Sequence, residues 1–198
     1  MSGLNENVCK ACSLLGWEKP FDIQVCSIKP ILQGKNLVAL AETGSGKTAA
    51  YALPIIHRLI ENPKTYFAVV FTPTRELAIQ VQSQFIAIGK TIGLNCSLLV
   101  GGIPIDEQSK QLRMKPPHVI VATPGRFMDH VNRTKGFDEL KFTSLNFLVF
   151  DEADRILGSD FLTVIEKILF FMPRGRQTLL FSATMTDKQC QPLELLLQ

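Results

Sequence analysis

The chain has 198 residues, 46% hydrophobic and 20% charged, which suits one globular domain with a real core, alone or with a short extension. Its formal net charge of +3 allows a polyanionic partner without demanding one, so nucleic-acid binding has to be argued from local residues. No charged-then-apolar leader opens it and no apolar run approaches the roughly 20 residues of a membrane span, so a soluble, non-secreted protein with no membrane partner is expected.

In chain order, the first segment has helix-like spacing, with Leu4, Val8, Cys9, Cys12 and Leu15 on one face. Cys9 and Cys12 have CxxC spacing, but no second pair completes a zinc site and no strand precedes them as in a redox motif. They are expected to pack in the core. With Cys26, Cys96 and Cys190 they make an odd, scattered set that fits reduced thiols in an intracellular protein. From residue 36 onward, short apolar strands alternate with helix-like segments. Strands are predicted at residues 36–40, 67–72, 97–100, 118–122, 147–151 and 177–182, and helices near 48–61, 75–89, 105–114, 126–134, 161–171 and 186–197. The alternation predicts an α/β fold, a mostly parallel sheet with helices on both faces. Strand order is not readable from it. Phe67, Phe71, Phe147, Phe150, Phe170, Phe171 and Phe181 fall in these elements and are expected in the core. His57, His118 and His130 lack metal-binding spacing, and His118 is expected to begin a strand.

The most informative run is Ala41-Glu42-Thr43-Gly44-Ser45-Gly46-Lys47-Thr48, between a predicted strand and an apolar helix. That is the context of a phosphate-binding loop. Small residues let backbone N–H groups curl around phosphate oxygens, and the helix adds the partial positive charge of its N-terminus. Lys47 can reach the β- and γ-phosphates, and the Thr48 hydroxyl can ligate Mg²⁺. The strict pattern begins with Gly; Ala41 keeps the curl if its φ is not positive.

A second signal closes the apolar strand at 147–151. Asp151-Glu152-Ala153-Asp154 puts carboxylates at its carboxyl end, where α/β sheets bind ligands. Asp151 can hold Mg²⁺ through water, and Glu152 can polarise the water that attacks the γ-phosphate. The bland alternative is an acidic helix cap.

The chain resembles the N-terminal RecA-like lobe of a DEAD-box RNA helicase along essentially its whole length. The segments that carry the resemblance succeed one another in order: residues 16–24 (Gly16 to Gln24), 41–48, Pro73-Thr74-Arg75-Glu76-Leu77-Ala78, Gly101-Gly102, Thr123-Pro124-Gly125-Arg126, residues 151–154 and Ser182-Ala183-Thr184. Singly several are weak, but seven in this order and spacing are specific. The resemblance implies a RecA-like P-loop NTPase domain, with an adenine-recognition extension over 1–30 and the P-loop core over 31–198. It implies ATP and Mg²⁺, with Gln24 reading adenine through its amide; alone, Gln24 would read as a surface helix residue after Pro20. Phe21 stands where the family usually has Thr, and the family's upstream aromatic would fall before residue 1.

By the same resemblance, Pro73, Thr74, Arg75, Gly101, Gly102, Thr123, Pro124, Gly125 and Arg126 contact the RNA backbone without reading bases, a task suited to hydroxyls, amides and guanidinium groups. Otherwise Thr74 and Thr123 are helix caps, the glycines a turn and Arg126 a solvated charge. Ser182, Ala183 and Thr184 would couple the ATP site to strand separation, with Asp154 as partner; a helix cap at Thr184 or Thr186 is the alternative. The implied protein is a monomer with a second RecA-like lobe, lying outside these 198 residues, whose arginines reach the γ-phosphate. Isolated, this lobe is expected to hydrolyse ATP weakly or not at all. RNA and protein activators are the implied partners, ribosomal RNA maturation the implied pathway, and the nucleus or nucleolus the implied location. A lone nucleotide- or RNA-binding module without turnover is the competing reading. A small-molecule kinase would share the loop but would not explain Gln24, the RNA-type strand ends and Ser182-Ala183-Thr184 together.

Overall fold

Runs of Val, Ile, Leu and Phe buried on both faces make parallel strands, and the six strands among the described residues form one all-parallel sheet. The computed structural model describes residues 3–138 and 142–184; the predicted helix at 186–197, with Thr186 and Cys190, lies outside them. In order the elements are α1 (Glu6–Leu14), α2 (Asp22–Leu32), β1 (Leu37–Leu40), α3 (Lys47–Glu61), β2 (Ala68–Phe71), α4 (Arg75–Gly89), β3 (Cys96–Leu99), α5 (Ile105–Met114), β4 (Val119–Ala122), α6 (Pro124–Arg133), β5 (Phe147–Asp151), α7 (Ala153–Ile156), α8 (Ser159–Phe170) and β6 (Gln177–Ser182). The sheet runs β1-β6-β5-β2-β4-β3.

Side chains alternate across the sheet, so each strand feeds two cores. Ala68, Val70, Val119, Val121, Val149 and Phe181 pack against α1, α2, α3 and α4. Val69, Phe71, Ile120, Phe150 and Leu180 pack against α6, α7 and α8, with Leu112 of α5. Each such Val, Leu, Ile or Phe side chain, fully buried, is worth about 1.5–3 kcal/mol of transfer free energy. Val8, Ala11 and Cys12 of α1 and Ile28 and Ile31 of α2 share the first core, so the CxxC thiol of Cys12 is packing, with Cys9 half-buried beside it.

Register explains where chemistry can occur. Leu40 pairs with Ser182, Asp151 with Phe181, Phe71 with both Phe150 and Ala122, and Leu99 with Ala122. All six strands therefore end along one edge, and the phosphate loop, the acidic run and the other polar motifs each come just after a strand end there. The outer edge of β3 is closed by glutamines: Gln82 Nε2 donates to Cys96 O at 2.9 Å, and Gln108 Nε2 to Leu98 O and Val100 O at 3.2 and 3.3 Å. Such capping leaves little for another strand to pair with.

Four expectations need correction. The helix α2 is absent from the predicted helices; Lys29 and Pro30 interrupt its apolar positions, and only tertiary contact with α3 reveals it. The short α7 also goes unforeseen, because Asp151-Glu152 reads as a strand end or cap rather than as the start of one helical turn. Phe170 is 88% exposed, not core, since the last residue of α8 points off its apolar face. His118 sits one residue before β4 and accepts a hydrogen bond from Asn95 N at its Nδ1, 2.9 Å.

Candidate active site

The loop between β1 and α3 is tied down at both ends. Ala41 N donates to Ser182 O at 2.9 Å, and Gly46, the N-cap of α3, has φ of 86°. A Cβ on Gly46 would lie 2.6 Å from Gln24 Nε2 and 2.8 Å from the Phe21 ring, so only Gly suits both its conformation and its neighbours. Ala41 is not among the positive-φ residues, which is why Ala serves there as well as Gly. Lys47 is buried; its Nζ donates to Ala41 O at 2.6 Å and Glu42 O at 3.0 Å, leaving the third ammonium proton for another acceptor. Ser45 Oγ donates to Glu42 O at 2.6 Å and tightens the curl further.

This loop floors a cleft of about 580 Å³, whose walls include Trp17, Phe21, Gln24, Thr43, Gly44, Thr48, Asp151 and Glu152. With Leu77 of α4, four segments distant in sequence thus meet in one concave, mixed polar and apolar space, the usual form of a small-ligand site.

Asp151 and Glu152 are neighbours with different surroundings. Asp151 is buried at the end of β5; Tyr51 Oη donates to its Oδ2 at 2.7 Å and Glu152 N to its Oδ1 at 3.0 Å. Burial lifts its pKa above the ordinary carboxylate value, although the Tyr51 hydroxyl, the Glu152 amide and the Lys47 charge all favour the ionised form. Burial likewise pushes the Tyr51 phenol well up, with the Asp151 carboxylate adding to it. Glu152 has φ of 53°, unusual for a residue with a side chain. That turn ends β5 and starts α7, and the Glu152 carboxylate meets Arg155 Nη1 at 2.9 Å.

Asp154 and the residues after β6 interlock. Ser182 Oγ accepts from Asp154 N at 3.2 Å and donates to Thr184 O at 2.6 Å, while Thr184 Oγ1 donates to Asp154 Oδ2 at 2.8 Å. Ala183 is the link between the two hydroxyl residues. Thr184, the last described residue, therefore bonds a side chain on another element.

Gln24 is 4% exposed, which rules out the surface-helix reading. Its Oε1 accepts from Phe21 N at 3.1 Å and its Nε2 donates to Gly46 O at 3.2 Å. An amide offers two donors and two acceptor lone pairs, so one of each is left for a ligand, matching an adenine N6–H and N7.

The strand ends toward β3 and β4 are organised differently from the expectation of free phosphate contacts. The Thr74 side chain caps α4, accepting from Leu77 N at 3.3 Å. Arg75 Nη1 donates to Gly101 O at 3.1 Å, and Gly102 has φ of 83°. Thr123 is the N-cap of α6 without a side-chain cap bond, followed by Pro124 and Gly125 in the first turn. Arg126 is not a solvated charge: its side chain is 13% exposed, its Nε donates to Gln108 Oε1 at 2.8 Å, its Nη2 to Ile103 O, and Asp129 lies 3.7 Å away. Pro73 sits between β2 and the Thr74 cap.

The group behind Arg126 carries a pH dependence. His130 is fully buried, and burial, followed by the Arg126 charge, lowers its pKa from 6.5 to about 4. The unfolded chain takes up this proton below pH 6.5 and the native state refuses it until about pH 4. The stability contributed by neutral His130 is therefore fully present above pH 6.5 and should fall by on the order of 3 kcal/mol as the pH drops through that window. Urea unfolding at about pH 7 and about pH 4.5 should show this loss in the wild type and a much smaller one in His130→Asn. Equal losses in both would contradict it.

Some residues of the site escape sequence reasoning. Tyr51 lies three positions after Thr48 on the same face of α3, a spacing that could have flagged it. Leu77, Gln80 and Gln84 of α4 line the cleft with no motif to mark them, and Arg155 becomes Glu152's partner only through the turn at α7.

Known proteins resemble this chain in sequence and fold. The sequence model of the DEAD/DEAH box helicase family matches residues 21–193. The mouse protein named probable ATP-dependent RNA helicase DDX47 is 53% identical over 186 residues, covering 94% of this chain and 40% of that protein. The ATP-dependent rRNA helicase rrp3 of Aspergillus fumigatus is 50% identical over 186 residues, covering 94% of this chain and 39% of that protein. A crystal structure of a DEAD box protein from the hyperthermophile Methanococcus jannaschii matches with a TM-score of 0.88 at 39% identity, over 98% of this chain and 52% of that one. The chain thus spans about two fifths of the length of these curated relatives.

Proposed function

The chain belongs to the DEAD/DEAH box helicase family, and we propose that it is the ATP-binding and hydrolysing lobe of an ATP-dependent RNA helicase. The observation that carries this reading is the single cleft into which Gln24, Lys47, Thr48, Asp151 and Glu152 converge from three segments distant in sequence. In it, residues 41–48 wrap the phosphates with backbone amides, Lys47 supplies its third proton to them, and Gln24 uses its remaining donor and acceptor on adenine. Asp151 and Thr48, an oxygen-donor carboxylate and hydroxyl lining the same cleft, fit the one or two protein ligands that Mg²⁺ usually takes; among the described residues no cluster of three or more His, Cys, Asp or Glu would hold a metal by itself. Bound there by Thr48 and Asp151, Mg²⁺ would neutralise charge on the β- and γ-oxygens. Glu152 orients and deprotonates the attacking water, and Asp154 with Ser182 and Thr184 links the nucleotide to the RNA side.

RNA would run along the strand ends at Thr74, Arg75, Gly101, Gly102, Thr123 and Arg126, held by its backbone. One relative is named an rRNA helicase, which supports ribosomal RNA as the substrate; its maturation, with the nucleolus as the place, is the setting this reading gives. No helix among the described residues is long and apolar enough to cross a membrane. A second RecA-like lobe would complete the site with arginines, worth about 10³ to 10⁵ in rate in P-loop enzymes. Titrating unrelated single-stranded RNAs at several salt concentrations tests the backbone reading. Affinities should agree within a few-fold, with a log–log slope of roughly −0.7 per phosphate neutralised; strong discrimination between sequences would contradict it.

A further inference from the structure

The turn between β3 and α5 is clamped by three side chains from three helices. Arg75 of α4 donates to Gly101 O, Gln108 of α5 to Leu98 O and Val100 O, and Arg126 of α6 to Ile103 O. Gly102 lies at the centre, and a Cβ there would fall 2.1 Å from Arg75 Nη1. Gln108 decides the rest of the arrangement. Because its amide nitrogen meets two carbonyls, its oxygen must accept, and it does so from Arg126 Nε at 2.8 Å and His130 Nε2 at 3.0 Å. That fixes the imidazole as the Nε2–H tautomer. His130 Nδ1 then accepts from the Thr134 hydroxyl at 2.7 Å, which in turn accepts from Ser109 Oγ at 2.7 Å. Every polar atom of this buried chain is satisfied by one arrangement of protons.

We propose that Gln108 and His130 are positioning residues for RNA: they set the spacing between the Gly101-Gly102 turn and the N-terminus of α6, the two loops that succeed the paired strands β3 and β4. The inference rests on the proposed RNA path along the strand ends. Leu99 and Ala122 are in register, so the two loops start side by side, and Gln108 and Arg126 are what bridge them. Arg126 spends its Nε and Nη2 inside the protein, so its contribution is chiefly to hold Ile103, while the backbone amides of the two loops are left to meet phosphates. Loss of Gln108 would strip Arg126 and His130 of their shared acceptor and two carbonyls of their donor, and the loops would drift apart to find new partners.

The test compares the 198-residue chain with Gln108→Leu, and with the near-isosteric Gln108→Glu should the first fail to fold. Three quantities are read: affinity for a single-stranded oligonucleotide RNA by anisotropy, affinity for Mg-ADP by calorimetry, and hydrogen exchange of the backbone amides at 101–103 and 125–127. RNA affinity is expected to fall about tenfold and those amides to exchange faster, with Mg-ADP affinity unchanged. RNA affinity held at the wild-type value, or an equal loss of RNA and ADP affinity, would overturn the positioning role. Wild type that binds no RNA would remove the RNA reading itself, and this proposal with it.

Discussion

Glu152→Gln is expected to lower ATP turnover by about 10³-fold while leaving nucleotide binding within a few-fold of wild type. In the proposed role the carboxylate acts as the base, and it takes no part in the hydrogen bonds that Lys47 and Ser45 make within the phosphate loop. Its backbone turns at φ of 53°, its amide supports Asp151, and Arg155 holds one of its oxygens from the open side. Glutamine keeps the shape and the oxygen that Arg155 holds, but it cannot take a proton from water. The measurement belongs in a protein with both lobes, where turnover is large enough to lose. Full hydrolysis by that variant would reject the role of Glu152.

Lys47→Ala should cost about 10²-fold in affinity for Mg-ADP, with the fold retained. Charge-assisted hydrogen bonds to phosphate are worth about 1.5–3 kcal/mol each, and the ammonium is placed to make at least one. A second loss adds to the first, because Lys47 also anchors the Ala41 and Glu42 carbonyls and so helps to shape the loop. Calorimetry with wild type and variant, alongside their circular dichroism, separates this from unfolding.

The phosphate loop and the Asp151-Glu152 pair are legible in the sequence because both are short, contiguous runs at strand ends, and because a buried parallel strand reads as an unbroken apolar stretch. The parallel sheet comes from the same alternation, and five of the predicted helices match described helices within two residues at either end. The features that stay hidden depend on contacts across long stretches of chain. Tyr51 reaches Asp151 over 100 positions, and no local pattern announces a buried phenol–carboxylate pair. Arg126 turns inward only because α5 brings Gln108 beside it, so a guanidinium that reads as surface charge becomes a bracket. Gln24 illustrates both cases: the resemblance of its segment implies adenine recognition, yet its bonds to Phe21 and Gly46, which leave it one donor and one acceptor, emerge only in three dimensions.

The central claim is that this cleft selects an adenine nucleotide and holds it by the loop at residues 41–48. Calorimetric titration of the wild-type chain with Mg-ADP and with Mg-GDP, repeated on Lys47→Ala, tests it most directly. Adenine's N6 donor and N7 acceptor match what Gln24 has left, whereas guanine places an acceptor where that donor should be. Mg-ADP should therefore bind about tenfold more tightly or better, and the variant should lose most of that affinity. Equal or stronger binding of Mg-GDP, or undiminished binding of Mg-ADP by Lys47→Ala, would contradict the claim.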